Sequence, residues 1–219
     1  MHFTVKNLLD IENNIKFYLE KLKIINNPKI VAVSKTFKID KILPLIDYGH
    51  ADFGENKVQE ALEKWTEIKK VNSKIKLHMV GKLQTNKVKF AVQIFDYIHS
   101  VDSEKLAKKI KDEQIKINKK IKVFLQVNIG EENQKSGINK NDVLNLASFC
   151  KEISLDAIGL MCIPPANIDP ETFFEEMNIL NKTLGFSELS MGMSSDFMLA
   201  IKHSSTCVRI GSSIFGQRY

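Results

Sequence analysis

The chain alternates between short apolar runs and longer stretches in which apolar residues recur every three or four positions. Short apolar runs predict β-strands, whereas the spacing of three and four predicts amphipathic helices. Helical spacing comes first, over residues 5–22, and the first apolar run follows it within residues 29–36. The sequence therefore predicts a helix before the first strand.

The same alternation continues to the end of the chain. Further apolar runs predict strands over residues 51–54, 76–81, 97–101, 122–128, 157–161, 188–191 and 206–210. Strands that alternate with helices predict a parallel sheet with helices outside it. Because 219 residues suit one (β/α)8 barrel and no linker divides the chain, we expect a single α/β domain over residues 1–219, a TIM barrel with an extra N-terminal helix. An open, doubly wound sheet is the alternative, but no G-x-G-x-x-G turn follows the first strand.

Charge and cysteine content narrow the classes of function. The net charge of +6 comes from lysines spread over all the predicted helices, which indicates solvated helix faces rather than a nucleic-acid groove. No apolar stretch is long enough for a membrane span or a signal peptide, so we expect a cytoplasmic protein. The three cysteines are widely spaced and the histidines show no metal-ligand spacing, so we expect neither disulfides nor a metal site.

A lysine follows the first strand almost directly. Lys35 would lie at the carboxyl end of that strand, the edge at which parallel α/β folds bind their ligands. A partly desolvated lysine can form a Schiff base with a carbonyl compound. Taken alone, this stretch favours the simpler interpretation that Lys35 only solvates the strand end.

Polar and small residues also follow the other predicted strands, and all would lie at the same rim. They are Asn56, His78 with Gly81, Ser100, Asn128, Met161, and the loops near Ser190 and Gly211. Each has an ordinary explanation as a cap, a turn or a core residue. Their convergence on one rim indicates a binding site.

The last two loops, residues 189–196 and 208–216, run from a strand through serine and glycine into a helix. In barrels, loops at this place often bind phosphate through backbone N–H groups, although two capped turns without a ligand are the alternative.

A Schiff-base lysine opposite a phosphate site matches the two ends of pyridoxal 5′-phosphate. We expect Arg209 to reach its pyridine nitrogen. As a pure donor it would keep that nitrogen unprotonated and weaken the ring as an electron sink. An ion pair at the rim is the alternative for Arg209.

The sequence resembles the pyridoxal phosphate homeostasis family, which is related in fold to the N-terminal barrel of bacterial alanine racemase. The matching stretches are residues 33–36, 53–60, 78–87, 100–103, 159–161 and the two C-terminal loops. The resemblance implies a covalent bond from the cofactor to Lys35, Asn56 close to the ring, and the ring nitrogen facing Arg209. It also implies a phosphate held near Ser190, Ser194, Gly211 and Ser212. His78 and Met161, which lie in the matching stretches, complete the expected cofactor-binding set, and no residue is assigned a catalytic role.

Related racemases use a second base, a tyrosine from an additional C-terminal β-domain. This chain ends at Tyr219, soon after the last predicted strand, so we expect no such partner for Lys35. We therefore hypothesise a monomeric carrier that takes part in vitamin B6 and amino-acid homeostasis and passes pyridoxal phosphate to apo-enzymes. The alternatives are a low-activity amino-acid racemase, with a water or His78 as second base, and a Schiff-base aldolase that needs no cofactor.

Overall fold

Eight parallel strands close into a barrel in the order β1 to β8. The computed structural model describes residues 1–25, 27–132 and 134–217. The expectation that depends on Tyr219 lies outside the described residues. The strands are β1 Lys29–Val33, β2 Asp52–Glu55, β3 Lys76–Met79, β4 Tyr97–Val101, β5 Lys122–Val127, β6 Asp156–Cys162, β7 Glu188–Ser190 and β8 Cys207–Ile210.

Helices connect successive strands and surround the barrel. They are α1 Phe3–Leu22, α2 Leu43–Tyr48, α3 Val58–Val71, α4 Val88–Ile94, α5 Glu104–Lys116, α6 Val143–Glu152, α7 Glu171–Thr183, α8 Phe197–Lys202 and α9 Ser212–Phe215, with short 3-10 turns at Ile39–Lys41, Thr85–Lys87 and Lys140–Asp142. The predicted (β/α)8 barrel with a preceding helix is confirmed. In the described part of the chain, no helix combines the length and the apolar character that crossing a membrane requires.

The pairing of β1 closes the barrel. Ala32 pairs in parallel with Phe53 of β2, and Ile30 pairs with Val208 of β8. Since every pairing is parallel, all the strands end at one mouth of the barrel and begin at the other. This arrangement gathers the loops that follow the strands, as the sequence predicted.

Side chains of successive strand residues point to opposite faces, and the two faces have separate cores. Ile30 and Ala32 of β1 join the large apolar cluster between the barrel and its helices. Val31 and Val33 instead form a small cluster with Cys207 inside the barrel. Much of the remaining interior is polar, which is unusual because branched apolar residues normally fill such barrels.

The first helix is held by an apolar stripe along one face. Its buried residues are Thr4, Val5, Leu8, Ile11, Ile15 and Leu19, the spacing that the sequence showed. Burying one such leucine or isoleucine contributes about 1.5–3 kcal/mol. Asn7 also donates a hydrogen bond from Nδ2 to the carbonyl oxygen of Ile214 (3.0 Å), which ties α1 to the end of the described chain.

The sequence also predicts that Ser103 caps the helix that follows it, and that Asp40 caps a helix that Gly49 ends. Ser103 caps α5 as expected, because its side chain accepts the backbone N–H of Leu106. The prediction that Asp40 caps the second helix is wrong. Asp40 lies inside a 3-10 turn, and α2 begins three residues later with Pro44 in its first turn. Proline supplies a fixed φ there without needing a cap.

Candidate functional site

A cavity of about 580 Å³ opens at the mouth where the strands end. Among its lining residues are six of the nine expected cofactor-binding residues: Lys35, Asn56, Ser194, Arg209, Gly211 and Ser212. They come from the loops after β1, β2 and β7 and from β8 with the loop that follows it. Four segments distant in sequence would not meet here without the closed barrel.

The cavity wall is strongly cationic. Lys35, Lys82, Lys135 and Arg209 all line it, and none of the described lining residues is an aspartate or glutamate. Lys135 is partly neutralised by Glu132, whose Oε2 lies 2.5 Å from its Nζ. An excess of positive charge in a concave site favours an anionic ligand.

A strained turn presents Lys35 to the cavity. Thr36, the next residue, has a φ of 68°, a left-handed conformation that β-branched residues rarely adopt. Such strain costs about 1–3 kcal/mol and persists only where neighbouring structure holds it. The N–H of Thr36 donates to Oε1 of Glu60 on α3 at 2.6 Å, which holds the turn.

Beneath this turn lies a buried polar cluster that joins β1, β2 and α3. Oε1 of Glu55 accepts hydrogen bonds from the hydroxyl of Ser34 (2.8 Å) and from the indole of Trp65 (2.9 Å). Nζ of Lys64 donates both to Glu55 Oε1 (2.9 Å) and to the carbonyl oxygen of Ser34 (3.0 Å). The residue before Lys35 is therefore anchored to two other elements. Sequence reasoning missed this cluster, because nothing in the spacing of Glu55 and Lys64 marks a buried pair.

The loops after β2 and β3 touch at Asn56 and Gly81. A Cβ atom at Gly81 would lie 2.5 Å from the carbonyl oxygen of Asn56 and 2.9 Å from its Cα. Only glycine permits this approach. Gly81 therefore positions Asn56 at the cavity wall.

At the opposite side of the cavity, Ser194 joins the last two loops. Its Oγ accepts the backbone N–H groups of Gly211 (3.2 Å) and Ser213 (3.4 Å). Gly192, with a φ of 92°, lets the first of these loops pack on α8, where a Cβ would lie 2.6 Å from that of Ala200. The N–H groups of Gly211 and Ser213 thus converge on one point, which Oγ of Ser194 occupies here, and converging N–H groups of this kind bind phosphate.

Arg209 lies at the base of the cavity and is only 5% exposed. Its Nη1 donates to Oγ of Ser190 (2.6 Å) and its Nη2 to the carbonyl oxygen of Cys162 (2.9 Å). No ion pair joins it to an aspartate or glutamate among the residues that the structure describes, so the alternative of a rim ion pair is not found there. These two bonds use two of the five N–H donors of a guanidinium, and the residue lines the cavity.

The other three expected cofactor-binding residues do not line this cavity, and neither does Ser100, which was expected at the same rim. Ser190 and Met161 are fully buried below its base. His78 lies nearer the other mouth, where it lines a cavity of about 140 Å³ with Lys29 and Tyr97. The sequence predicts their strands but not the depth at which each inward side chain lies. Their direct contact with a cofactor therefore stays a prediction that the cavity lining does not support.

Comparison with known proteins places this site in a family. The model of the alanine racemase N-terminal domain matches residues 7–219. The pyridoxal phosphate homeostasis protein of Pasteurella multocida is 36% identical, with 97% of each chain covered, and that of Aquifex aeolicus is 36% identical, with 88% of each covered.

Solved structures of similar proteins show the same fold. PipY of Synechococcus elongatus, determined with pyridoxal phosphate bound, is 31% identical with a TM-score of 0.81, and the match covers 92% of this chain and all of PipY (100%). Alanine racemase from Clostridium difficile is 15% identical with a TM-score of 0.69, covers 94% of this chain and 57% of its own, and shows the shared fold. The chain therefore belongs to the pyridoxal phosphate homeostasis protein family, within the alanine racemase N-terminal domain family.

Proposed function

We propose that this protein binds pyridoxal 5′-phosphate in the cationic cavity, covalently through Nζ of Lys35, and carries it in the cytoplasm without significant catalysis. One observation carries the proposal: Lys35, Arg209 and the loop at Gly211 and Ser212 line a single cavity. Its volume of about 580 Å³ falls within the range of small-molecule sites.

The residues present match the separate parts of this cofactor. Lys35 offers an amine for the aldehyde, and Arg209 offers a donor for the ring nitrogen. Ser194, Gly211 and Ser212 offer hydroxyl and N–H donors for the phosphate, and Asn56 lies at the wall between these ends. When bound, the cofactor supplies an aldehyde that condenses with the lysine amine with loss of one water, a bond that water or another amine reverses.

Two features support a carrier rather than a catalyst. Arg209 can donate a hydrogen bond but cannot supply a full proton to the ring nitrogen, and this weakens the ring's capacity to stabilise a carbanion. The described lining residues also include no tyrosine, histidine or carboxylate to act as a second base. The second candidate is the low-activity racemase. Its second base would then be another amine of the cavity, Lys82 or Lys135.

The carrier role includes a recipient and a state of assembly. We propose that PLP-dependent apo-enzymes receive the cofactor and that the protein acts as a monomer. Light scattering of the purified protein tests the state of assembly, and a stable dimer would contradict the proposed monomer. The rate at which a PLP-dependent apo-enzyme gains activity from the loaded protein tests the recipient. Activation of the apo-enzyme no faster than hydrolytic release of the cofactor would show that no direct contact is needed.

Absorbance of the cofactor-loaded protein tests the attachment. Wild type is incubated with pyridoxal phosphate, desalted and compared with Lys35→Ala and with Lys82→Ala, a matched variant that removes another lysine from the same cavity. We expect a visible band in wild type and Lys82→Ala, its absence in Lys35→Ala, and its loss on borohydride treatment. A colourless wild type, or a Lys35→Ala protein that keeps the band, would overturn the proposal.

Turnover assays with single amino-acid enantiomers decide between carrier and enzyme. A carrier gives rates close to those of free pyridoxal phosphate. Robust racemase or transaminase rates that disappear in Lys35→Ala would replace the carrier with the enzyme.

A further inference from the structure

Five polar side chains form a continuous hydrogen-bonded series through the barrel interior. Nε2 of His78 lies 2.9 Å from Oδ1 of Asp52, and Nδ1 of His78 lies 2.9 Å from Nε2 of His99. Nδ1 of His99 lies 2.9 Å from Oγ of Ser190, which also accepts from Nη1 of Arg209 at 2.6 Å. We call these five residues the interior relay.

The interior relay reaches both mouths of the barrel. Arg209 lines the cationic cavity, whereas Asp52, the first residue of β2, lines a separate cavity of about 960 Å³ against α1. Between them, His78, His99 and Ser190 are buried. A residue at one face of the molecule is thus linked to the proposed cofactor site at the other.

The two ends fix the direction of every hydrogen bond in the series. A guanidinium can only donate, and an ionised carboxylate can only accept. His78 must therefore donate from Nε2 to Asp52, which leaves its Nδ1 to accept from Nε2 of His99. Nδ1 of His99 then accepts the hydroxyl hydrogen of Ser190. Ser190 in turn presents a lone pair to Arg209.

This assignment requires neutral histidines and an ionised Asp52, and the surroundings favour both. Burial lowers the pKa of His78 against the opposing effect of Asp52, and it holds the pKa of His99 well below 6.5, helped by His78 and Arg209. Burial alone would raise the pKa of Asp52, but the hydrogen bond from His78 and the charge of Lys29 lower it overall. Two aromatic rings pack on the histidines: Tyr97 stacks on His78 and Phe124 stacks on His99, each pair with ring centroids 4.3 Å apart.

Packing of the core alone does not explain why these interior side chains are polar. Apolar residues of similar volume fill a barrel at least as well, and replacing buried polar groups by them is often neutral or stabilising. A buried network in which each member has a partner instead specifies one arrangement of its members. Here the member that reaches the cavity is Arg209.

We propose that the interior relay is a positioning device for Arg209, in which Asp52 sets the donor and acceptor roles of His78, His99 and Ser190. Ser190 then holds the guanidinium in the orientation that faces the cavity. The inference rests on the proposed function, because Arg209 is the residue expected to face the cofactor ring. The four other members are positioning residues that act through Arg209 rather than by touching the ligand.

Three variants separate positioning from packing. His99→Phe breaks the series in the middle but keeps an aromatic ring against Phe124. His99→Gln keeps one acceptor and one donor in place of the two ring nitrogens. His50→Phe is the matched control, because His50 hydrogen-bonds the backbone oxygen of Asp52 (2.9 Å) and lies outside the series.

The first measurement needs no cofactor. Nitrogen-15 NMR of the ligand-free protein is expected to show His78 and His99 neutral at pH 7, each with its hydrogen on Nε2. In His99→Phe, the side-chain N–H signals of Arg209 should exchange faster with solvent, whereas His99→Gln and His50→Phe should resemble wild type. Charged histidines, the opposite tautomers, or unchanged Arg209 signals in a folded His99→Phe would overturn the relay.

The second measurement uses the loaded protein. His99→Phe should lose pyridoxal phosphate about tenfold faster than wild type and shift its visible band, while His99→Gln stays close to wild type. If His99→Phe does not fold, Ser190→Ala takes its place with the same expectation. A band and release rate unchanged in the folded variants would overturn the relay and leave the proposed function standing. A wild type that takes up no cofactor would refute the proposed function, while the NMR measurement would still decide the relay.

Discussion

Nζ of Lys64 lies 2.9 Å from Oε1 of Glu55, and the two side chains are only 10% and 0% exposed. The pair lies beneath the turn that carries Lys35, because Lys64 also donates to the carbonyl oxygen of Ser34. Burying the carboxylate of Glu55 would cost much free energy without the ammonium of Lys64 beside it. The pair therefore stabilises the fold and the turn together.

Removing the cation should cost more than breaking a surface pair. We expect Lys64→Met to lower the free energy of unfolding by about 3–5 kcal/mol, because Glu55 would stay buried without its cation. Urea denaturation at pH 7 measures the change. The matched control is Lys70→Met, whose pair with Glu67 has side chains 63% and 81% exposed and should contribute at most about 1 kcal/mol. Equal losses in the two variants would contradict this view of the cluster.

The contact between Asn56 and Gly81 predicts a defect confined to the cavity. Gly81→Ala would place a Cβ 2.5 Å from the carbonyl oxygen of Asn56, so the two loops must separate. We expect a loss of about 1–3 kcal/mol in stability and a faster release of pyridoxal phosphate. Thermal denaturation and the decay of the visible band measure the two effects.

Gly49→Ala is the control for that prediction. Gly49 has a φ of 104° and no atom within 4 Å of a Cβ, so alanine there is strained but displaces nothing. It should lower stability without altering cofactor release. Equal effects of both variants on release would show that the loop contact does not position Asn56.

The sequence predicted the order of the elements because each strand and helix carries its own periodicity. Residues 97–101 were predicted as a strand and form β4, and Gly49 ends α2 in the left-handed conformation as expected. The loops after β7 and β8 were recognisable because serine and glycine follow directly on apolar runs. Local pattern therefore suffices for the barrel and for the mouth at which its site lies.

Depth inside the barrel could not be predicted in this way. His78 was expected at the rim, but it lies in the barrel interior and bonds Asp52 and His99. How far each inward side chain lies from the mouth depends on the stagger between neighbouring strands, which no single strand encodes. Glu55 was overlooked for a related reason: its partners Ser34 and Lys64 come from other elements and share no spacing with it.

The cysteines should be unreactive in the folded protein. Cys150, Cys162 and Cys207 are all buried, and burial raises the pKa of Cys150 to about 11 and that of Cys162 and Cys207 to about 12. Since the thiolate is the reacting form, we expect almost no reaction with a thiol reagent at pH 8 in the native state. All three thiols should react at once in guanidinium chloride. Fast labelling of native protein would show that the interior opens readily.

Stability should fall as the pH drops below about 6.5, because histidines are buried in the neutral form. The pKa values of His50, His78 and His99 are lowered by burial from the ordinary value of 6.5. Between its folded and unfolded pKa, each such group binds more protons in the unfolded chain, so the free energy of unfolding decreases as pH decreases. The limiting slope is about 1.4 kcal/mol per pH unit for each histidine. The stability that they contribute is therefore fully present above pH 6.5 and is lost toward pH 5.

Urea titrations at half-unit pH intervals, with a constant m-value, measure this slope. His99→Gln removes one titrating group and should reduce the slope by up to the contribution of one histidine. A flat profile between pH 7 and 5 in wild type would show that the interior accommodates charged histidines.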